Sequence, residues 1–322
     1  MHKIKVTKPL DCEYVDVFII GSGPAGLSAA IYAARAGAKT IIAERENIGG
    51  QMTQVSDIKN YPGFSEISGS ELAARMREQA IESGALIDEF CSIKSVDLRR
   101  KVIACNSSYN SRFYRAKSII IAAGTKQIPL KVPGAEKLLG KGVHYCALCD
   151  GHLYKEKTAA VIGGGSSALT EAIYLSKIVK TVYVIRRKDY FKAEKALLSQ
   201  AENTDNIKIL YNTDIVSLSG EKSLETINVS NTKTGENYPL SVSGLFVYVG
   251  STPQTELFTD YIRSDGIETD GGGFIVTDEN METSLKGVFC AGDIRAKDIR
   301  QISTAVGDGS IAGIYAAKFS GK

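Results

Sequence analysis

The chain is poor in histidine, with three in 322 residues, and in cysteine, with six. Six cysteines over that length are too sparse for a disulfide scaffold. Its net charge of +3 is small, which argues against the concentrated basic face that nucleic-acid binding requires. No apolar run approaches the ~20 residues of a membrane-spanning helix. The N-terminus, MHKIKVTKPLDCEYVDVFII, carries charge where a secretory signal would be apolar, so the cytoplasm is the expected location. In that reducing compartment a close cysteine pair reads as catalytic or metal-binding.

What is present is glycine in pattern. VDVFII reads as a buried parallel strand, GSGPAG (Gly21 to Gly26) as a turn, LSAAIYAARAGAKT as a helix stopping at Gly37, and IIAE as a second strand ending at Glu44. The strand–turn–helix context and an acid roughly 20 residues on make this a dinucleotide fingerprint. Gly21 makes the tight turn, Gly23 lets the backbone approach a pyrophosphate, and Gly26 permits close helix–strand packing. The helix N-terminus faces the phosphates, and Glu44 accepts from ribose hydroxyls.

The unit recurs. TAAVI leads into GGGSSA, with Gly163 and Gly165 in the first two glycine positions and Ala168 in the third, followed by a helix and the strand TVYVI. Where a ribose-binding acid would stand there is Arg186, followed by Arg187, Lys188 and Lys192. A basic cluster attracts the 2′-phosphate that an acid would repel, so this second site suits NADPH over NADH. SIIIAAGTKQIP closes the first unit and STPQTE returns to it, which makes the first domain discontinuous and the second an insertion. Ser68 and Glu71 fit a capping box on a structural helix.

HYCALCDGH, His144 to His152, holds Cys146 and Cys149. Zinc would need two more ligands, and no second CxxC exists to supply them. A buried pair of thiols is an ordinary packing feature. The third reading is a redox dithiol, which forms a small-loop disulfide and in which local polarity activates one thiolate. Asp150 beside it could shuttle the proton, although Asp-Gly is also a common turn. His144 and His152 read as partly exposed loop residues, and Cys12, Cys91, Cys105 and Cys290 as packing residues.

The motifs GSGPAG, IGGQM, IKNYPGF, AAGT, CALCDG, GGGSSA, RRKDYFKAEK, VGSTPQT, FCAGDI and RQISTAVGDG together resemble the low-molecular-weight thioredoxin reductases. They occur in that family's order over almost the whole chain after a short N-terminal extension, which reads as a solvated tail. The resemblance implies an α/β fold of two Rossmann-like nucleotide-binding domains of the three-layer β/β/α type, the second inserted into the first. It puts the FAD-binding domain at 1–128 and 255–322 and the NADPH-binding domain, carrying the CxxC pair, at 129–254. It implies an NADPH-dependent thioredoxin-disulfide reductase, homodimeric and flavin-dependent, with thioredoxin as partner and no resident metal.

Carried over residue by residue, the likeness gives FAD to Gly21, Ser22, Gly23, Ala25, Gly26, Glu44, Gln51, Asn60, Asp293, Arg300 and Gln301. NADPH falls to Gly163, Gly165, Ser166, Ser167, Ala168, Arg186, Arg187, Lys188 and Lys192. Cys149 would face the flavin, Cys146 would attack thioredoxin, and Asp150 would be the acid. Dithiol and nicotinamide site then share one domain while the flavin sits on the other. The inserted domain is therefore expected to swing about hinges near Gln127–Pro129 and Gly250–Thr255, since each partner needs near-contact geometry.

The family's phosphate-binding stretch starts with histidine and two arginines, with a further arginine shortly after. Here Arg186 stands at the histidine position and lysines replace two arginines, and Lys lacks the planar bidentate fork. A ferredoxin-linked, pyridine-nucleotide-independent flavin thioredoxin reductase is thus an alternative. So are a reductase of another small dithiol protein and a non-enzymatic nucleotide-binding module with a CxxC metal clip.

Overall fold

A computed structural model describes residues 12–55, 58, 60–106, 111–264 and 266–322. The N-terminal extension, including His2, lies outside them, as does the side chain of Cys149. The chain divides into two compact units, Met1–Lys126 with Thr252–Lys322, and Gln127–Ser251.

In the first unit, β1 (Cys12–Ile20), α1 (Pro24–Arg35) and β2 (Thr40–Ala43) make a parallel βαβ hairpin, with Val17 opposite Thr40. Helix α2 (Gly69–Glu82) leads to β3 (Leu86–Asp88), which adds in parallel to β2. The strands β4 (Ser92–Asp97), β5 (Val102–Asn106) and β6 (Ser111–Ile121) form an antiparallel run. The start of β6, Ser111 to Arg115, pairs with β5, while Phe113 to Ile121 run parallel to β1, so one long strand joins the antiparallel and parallel parts of a single seven-stranded sheet. Val17, Phe18 and Ile19 are fully buried because both faces of β1 are covered. Val17 and Ile19 pack into the core with α1, whereas Phe18 and Ile20 pack with Tyr114 and Phe258. Ser68 caps α2 by accepting from the Glu71 amide at 3.1 Å. The Glu71 carboxylate turns instead to Arg75, so only half of the expected box forms.

The chain leaves this unit through β7 (Thr125–Gln127). The second unit contains β8 (Val143–His144), α3 (Ala147–Asp150), β9 (Thr158–Gly163), α4 (Ser166–Ser176), β10 (Thr181–Ile185), α5 (Lys195–Glu202) and β11 (Ile207–Leu210). Then come β12 (Thr213–Ser219), β13 (Thr226–Asn231), β14 (Asn237–Ser241) and β15 (Gly244–Tyr248). Its parallel five-stranded sheet has the order β11-β10-β9-β15-β8, and β12-β13-β14 is a separate antiparallel sheet. The first unit thus carries one mixed sheet and the second a parallel sheet with a separate antiparallel one, each with helices, the Rossmann-like α/β architecture.

The return strand β16 (Ser251–Pro253) pairs with β7. After α6 (Thr259–Arg263), β17 (Val288–Cys290) completes the first sheet beside β6, and α7 (Ile302–Phe319) covers it. Helix α7 lies against α1 at unusually close range, because β-carbons on Gly309 and Gly313 would overlap the carbonyl oxygens of Ala25 and Ala29. No helix among the described residues is long and apolar enough to cross a membrane.

Candidate active site

The first glycine turn joins β1 to α1. Gly21 has φ +98°, and a β-carbon there would stand 2.6 Å from the carbonyl oxygen of Ala122. A β-carbon on Gly26 would overlap the carbonyl oxygen of Gly21, so the helix can start this close to the strand only with glycine. At Gly23 the situation is opposite: among the described residues nothing but its chain neighbours comes within 4 Å of the missing β-carbon. That open space sits before the first turn of a 12-residue helix with Pro24 in its first turn, where free N–H groups and the helix dipole suit a phosphate. Ser22 is fully buried and donates to Glu44 Oε2 through both its amide (2.9 Å) and its hydroxyl (2.7 Å). The Glu46 amide holds the other oxygen, Oε1, at 2.7 Å. The acid at the end of β2 is thereby fixed against the glycine turn.

Distant segments complete this side. Gln51 donates its amide to the carbonyl and hydroxyl of Thr125. Asn60 Nδ2 donates to Gln301 Oε1 at 3.2 Å. Asp293 Oδ1 is buried without a hydrogen bond, with Lys297 Nζ 3.4 Å away in an ion pair. Burial pushes this carboxyl above its ordinary value, and Lys297 and Arg300 offset part of the effect. Arg300 donates to the Asp293 carbonyl at 3.2 Å and lies over Phe274, 4.1 Å from the ring centroid. An open glycine cradle, an anchored acid and a buried carboxylate oxygen met only by the Lys297 ion pair fit a dinucleotide with a polyol segment.

Sequence reasoning assigned no role to Asp308, although it stands within RQISTAVGDG as the one acid of an otherwise Ala- and Gly-rich helix. It receives Lys297 Nζ at 2.9 Å, Arg295 Nη2 at 3.2 Å and the Gly292 amide at 3.2 Å. These bonds tie the turn after β17 to α7.

In the second unit, a β-carbon on Gly163 would stand 2.5 Å from the Tyr248 carbonyl oxygen and 2.6 Å from the Ala168 β-carbon. Gly165, the N-cap of α4, has only the Lys192 carbonyl oxygen nearby, at 3.8 Å. Ser166 and Ser167 are exposed in the first turn, and Ala168 is buried. Arg186 does not reach freely into solvent. Its guanidinium lies against Gly164, its Nε donates to the Tyr190 carbonyl at 2.7 Å, and it stands 5.6 and 5.7 Å from the ring centroids of Tyr190 and Phe191. Arg187, Lys188 and Lys192 are exposed. The Lys192 amide donates to the Gly164 carbonyl at 2.8 Å, which brings the basic segment onto the glycine turn. Glu171 on α4 was not singled out by the sequence. Its Oε2 is buried without a hydrogen-bond partner among the described residues, and burial pushes the carboxyl up to about 7.

The cysteine segment runs from the end of β8 into the short helix α3. Cys146 is disulfide-bonded, while Cys12, Cys91, Cys105 and Cys290 are free thiols. Cys91, Cys105 and Cys290 are buried. The Cys91 thiol is raised by its contact with Cys105 and by burial, and the Cys290 thiol by burial. The Asp150 amide donates to the Cys146 carbonyl at 3.2 Å, and the Ala147 amide to the Tyr248 hydroxyl at 2.8 Å.

His144 corrects the expectation of a partly exposed loop residue. It is 6% exposed, on β8, with its ring stacked on Phe246 and edge-on to Tyr154. Register explains this, because Phe246 on β15 is the direct neighbour of His144. Its Nδ1 is 2.9 Å from Asp150 Oδ2 and its Nε2 is 2.6 Å from the Tyr154 hydroxyl. Both ring nitrogens are engaged and neither is free for a metal. His152 is exposed, as expected.

The chain matches the model of the pyridine nucleotide-disulphide oxidoreductase family over residues 15–309. It is 44% identical over 309 residues to a Clostridium pasteurianum protein described as a 34.2 kDa protein in the rubredoxin operon, covering 95% of this chain and 97% of that one. It is 40% identical over 305 residues to the thioredoxin reductase of Listeria innocua, covering 94% and 93%. The crystal structure of Lactococcus lactis thioredoxin reductase, in a form described as the FR conformation, is similar with a TM-score of 0.80 at 38% identity, covering 95% of this chain and 99% of that one. Two sheets with parallel βαβ portions, each opening on a glycine turn, agree with that likeness. The chain belongs to the pyridine nucleotide-disulphide oxidoreductase family, as an oxidoreductase and flavoprotein of the low-molecular-weight thioredoxin reductase kind.

Proposed function

We propose that the protein carries two electrons from NADPH through FAD to a Cys146–Cys149 disulfide and on to oxidised thioredoxin. The observation that carries this reading is the disulfide-bonded Cys146, one helical turn from Asp150, in the unit that also holds the second glycine turn. FAD, when bound, supplies the two-electron relay between a nicotinamide and a disulfide. In this reading the Gly21–Gly26 turn with Ser22 and Ala25 holds its pyrophosphate, and Glu44 its ribose. Gln51, Asn60, Asp293, Arg300 and Gln301 hold the remainder, with Asp293 Oδ1 seeking a hydroxyl donor. Gly163, Gly165, Ser166, Ser167 and Ala168 receive the NADPH pyrophosphate, and Arg186, Arg187, Lys188 and Lys192 its 2′-phosphate.

Cys146 is the attacking thiol toward thioredoxin, Cys149 the thiol toward the flavin, and Asp150 the proton shuttle. In this reading the protein acts in the cytoplasm and as a homodimer, and the exposed Tyr315 and Phe319 one turn apart on α7 support the homodimer.

A second reading rests on two observations. Arg186 is held across Gly164 instead of reaching out, and one close relative is described by its place in a rubredoxin operon. The first leaves the 2′-phosphate site without a freely reaching arginine at that position, and the second points to a small iron–sulfur protein as electron donor. Anaerobic addition of NADPH, NADH, reduced ferredoxin and reduced rubredoxin to the yellow protein separates the two. Loss of flavin absorbance with NADPH alone supports the first reading, and loss only with an iron–sulfur protein overturns it.

A further inference from the structure

We infer that His144 is a positioning residue for Asp150, holding its carboxylate in one orientation through an Nδ1–H hydrogen bond while the Tyr154 hydroxyl occupies the other ring nitrogen. The inference rests on the proposed dithiol chemistry and goes beyond it, since nothing in that chemistry calls for a buried histidine.

The assignment follows from counting donors. An ionised carboxylate only accepts, so the 2.9 Å contact between Asp150 Oδ2 and His144 Nδ1 calls for the proton on Nδ1. With that proton on Nδ1, Nε2 of the neutral tautomer accepts from the Tyr154 hydroxyl at 2.6 Å. Phe246 below the ring and Tyr154 beside it prevent rotation. The carboxylate itself needs such help. It ends a four-residue helix and its side chain is 36% exposed, so without a fixed donor it would turn among solvated rotamers.

Thiol–disulfide exchange gives the orientation its value. The Cys146 thiolate attacks a thioredoxin sulfur, the thioredoxin S–S bond breaks, and the expelled sulfur takes a proton. Cys149 then loses its proton and attacks the mixed disulfide, closing the enzyme disulfide and releasing the second thioredoxin thiol. Two electrons and two protons pass to thioredoxin. Asp150, next in sequence to Cys149, must accept and return a proton, and a carboxylate held in one rotamer by Nδ1–H is ready to do so.

The test uses two substitutions that keep different nitrogens. The amide of His144→Asn falls near Nδ1 and can still donate to Asp150, whereas that of His144→Gln falls near Nε2 and reaches Tyr154. In the holoenzyme, His144→Gln should lower kcat for thioredoxin reduction roughly ten- to a hundredfold, with KM for thioredoxin within about twofold. His144→Asn should retain most of the rate, and His152→Ala all of it. Equal rates in the Asn and Gln variants, whether both normal or both impaired, would overturn the inference. The aromatic disulfide DTNB is run in parallel, so that a wild-type enzyme inactive with thioredoxin faults the acceptor and leaves His144 readable. Independently of turnover, ¹⁵N-histidine NMR should show a protonated Nδ1 at His144 whose proton resonance disappears in Asp150→Ala. A protonated Nε2 with a bare Nδ1 would equally overturn it.

Discussion

The guanidinium of Arg186 lies against the backbone of Gly164, occupying the space that a β-carbon on that glycine would need. The side chain at the end of β10 and the middle of the second glycine turn are thus one feature. Gly164 has no left-handed φ, so alanine is conformationally tolerated there and displaces only the flexible arginine tip. Gly164→Ala and Arg186→Ala should therefore act alike. Each should lower the preference for NADPH over NADH about tenfold, or about 1.4 kcal/mol, as measured by kcat/KM with both nucleotides. A preference unchanged in both variants would remove Arg186 from the phosphate site.

The two cysteines separate two half-reactions. Cys149→Ser should still show flavin bleaching by NADPH but lose thioredoxin reduction by a factor of roughly 10³ or more, as expected for removing one member of a catalytic pair. Normal turnover in that variant would refute the dithiol assignment.

Glu171 makes stability depend on pH in a defined direction. Its folded carboxyl titrates at about 7 against an ordinary value of 4.5, so between these the folded state keeps a proton that the unfolded state has lost. Stability therefore falls as pH rises across that interval and stays lower above it. Glu171→Gln removes the loss. Relative to wild type it should gain up to roughly 3 kcal/mol between pH 4 and pH 8, measured by urea unfolding at both. A parallel pH dependence in the two proteins would mean that Glu171 is not desolvated.

Asp308 receives two cations, one of them Lys297, whose side chain is 9% exposed. Asp308→Asn leaves Lys297 and Arg295 short of their counter-charge and should cost about 3–5 kcal/mol of unfolding free energy. The double variant Asp308→Leu with Lys297→Met should recover part of this. A single variant within 1 kcal/mol of wild type, an error-sized change, would show the cluster to be solvated.

Two glycines of the first unit should respond in opposite ways to alanine. Gly309→Ala drives a methyl into the Ala25 carbonyl where α7 meets α1, and should destabilise by about 1–3 kcal/mol or more. Gly23→Ala meets no atom of the described residues beyond its chain neighbours within 4 Å and should leave the melting temperature of the cofactor-free protein nearly unchanged while reducing FAD retention. Full flavin retention in Gly23→Ala would argue that the open space is not a phosphate cradle.

Much of the fold was legible because its signals are short-range. The left-handed φ at Gly21 and the apolar runs of β1 and β9 each depend on a few consecutive residues and on steric limits that hold in any protein. The same is true of the basic segment after β10. Ser68 was legible as a cap, but the reciprocal half of its box was not, because Arg75 competes for Glu71.

The sequence by itself determined where two glycine turns open, that an acid closes one unit and bases the other, and that two thiols stand three residues apart beside an aspartate. Tertiary structure alone decided that Ser22 anchors Glu44, that Asn60 meets Gln301 across 241 residues, and that Asp308 gathers Arg295 and Lys297. It also decided that His144 is buried and bonded to Asp150. The physical reason is that a polar side chain's partner is chosen by the sheet register and helix packing that bring remote segments together. Phe246 reaches His144 only because β15 lies beside β8 in that register.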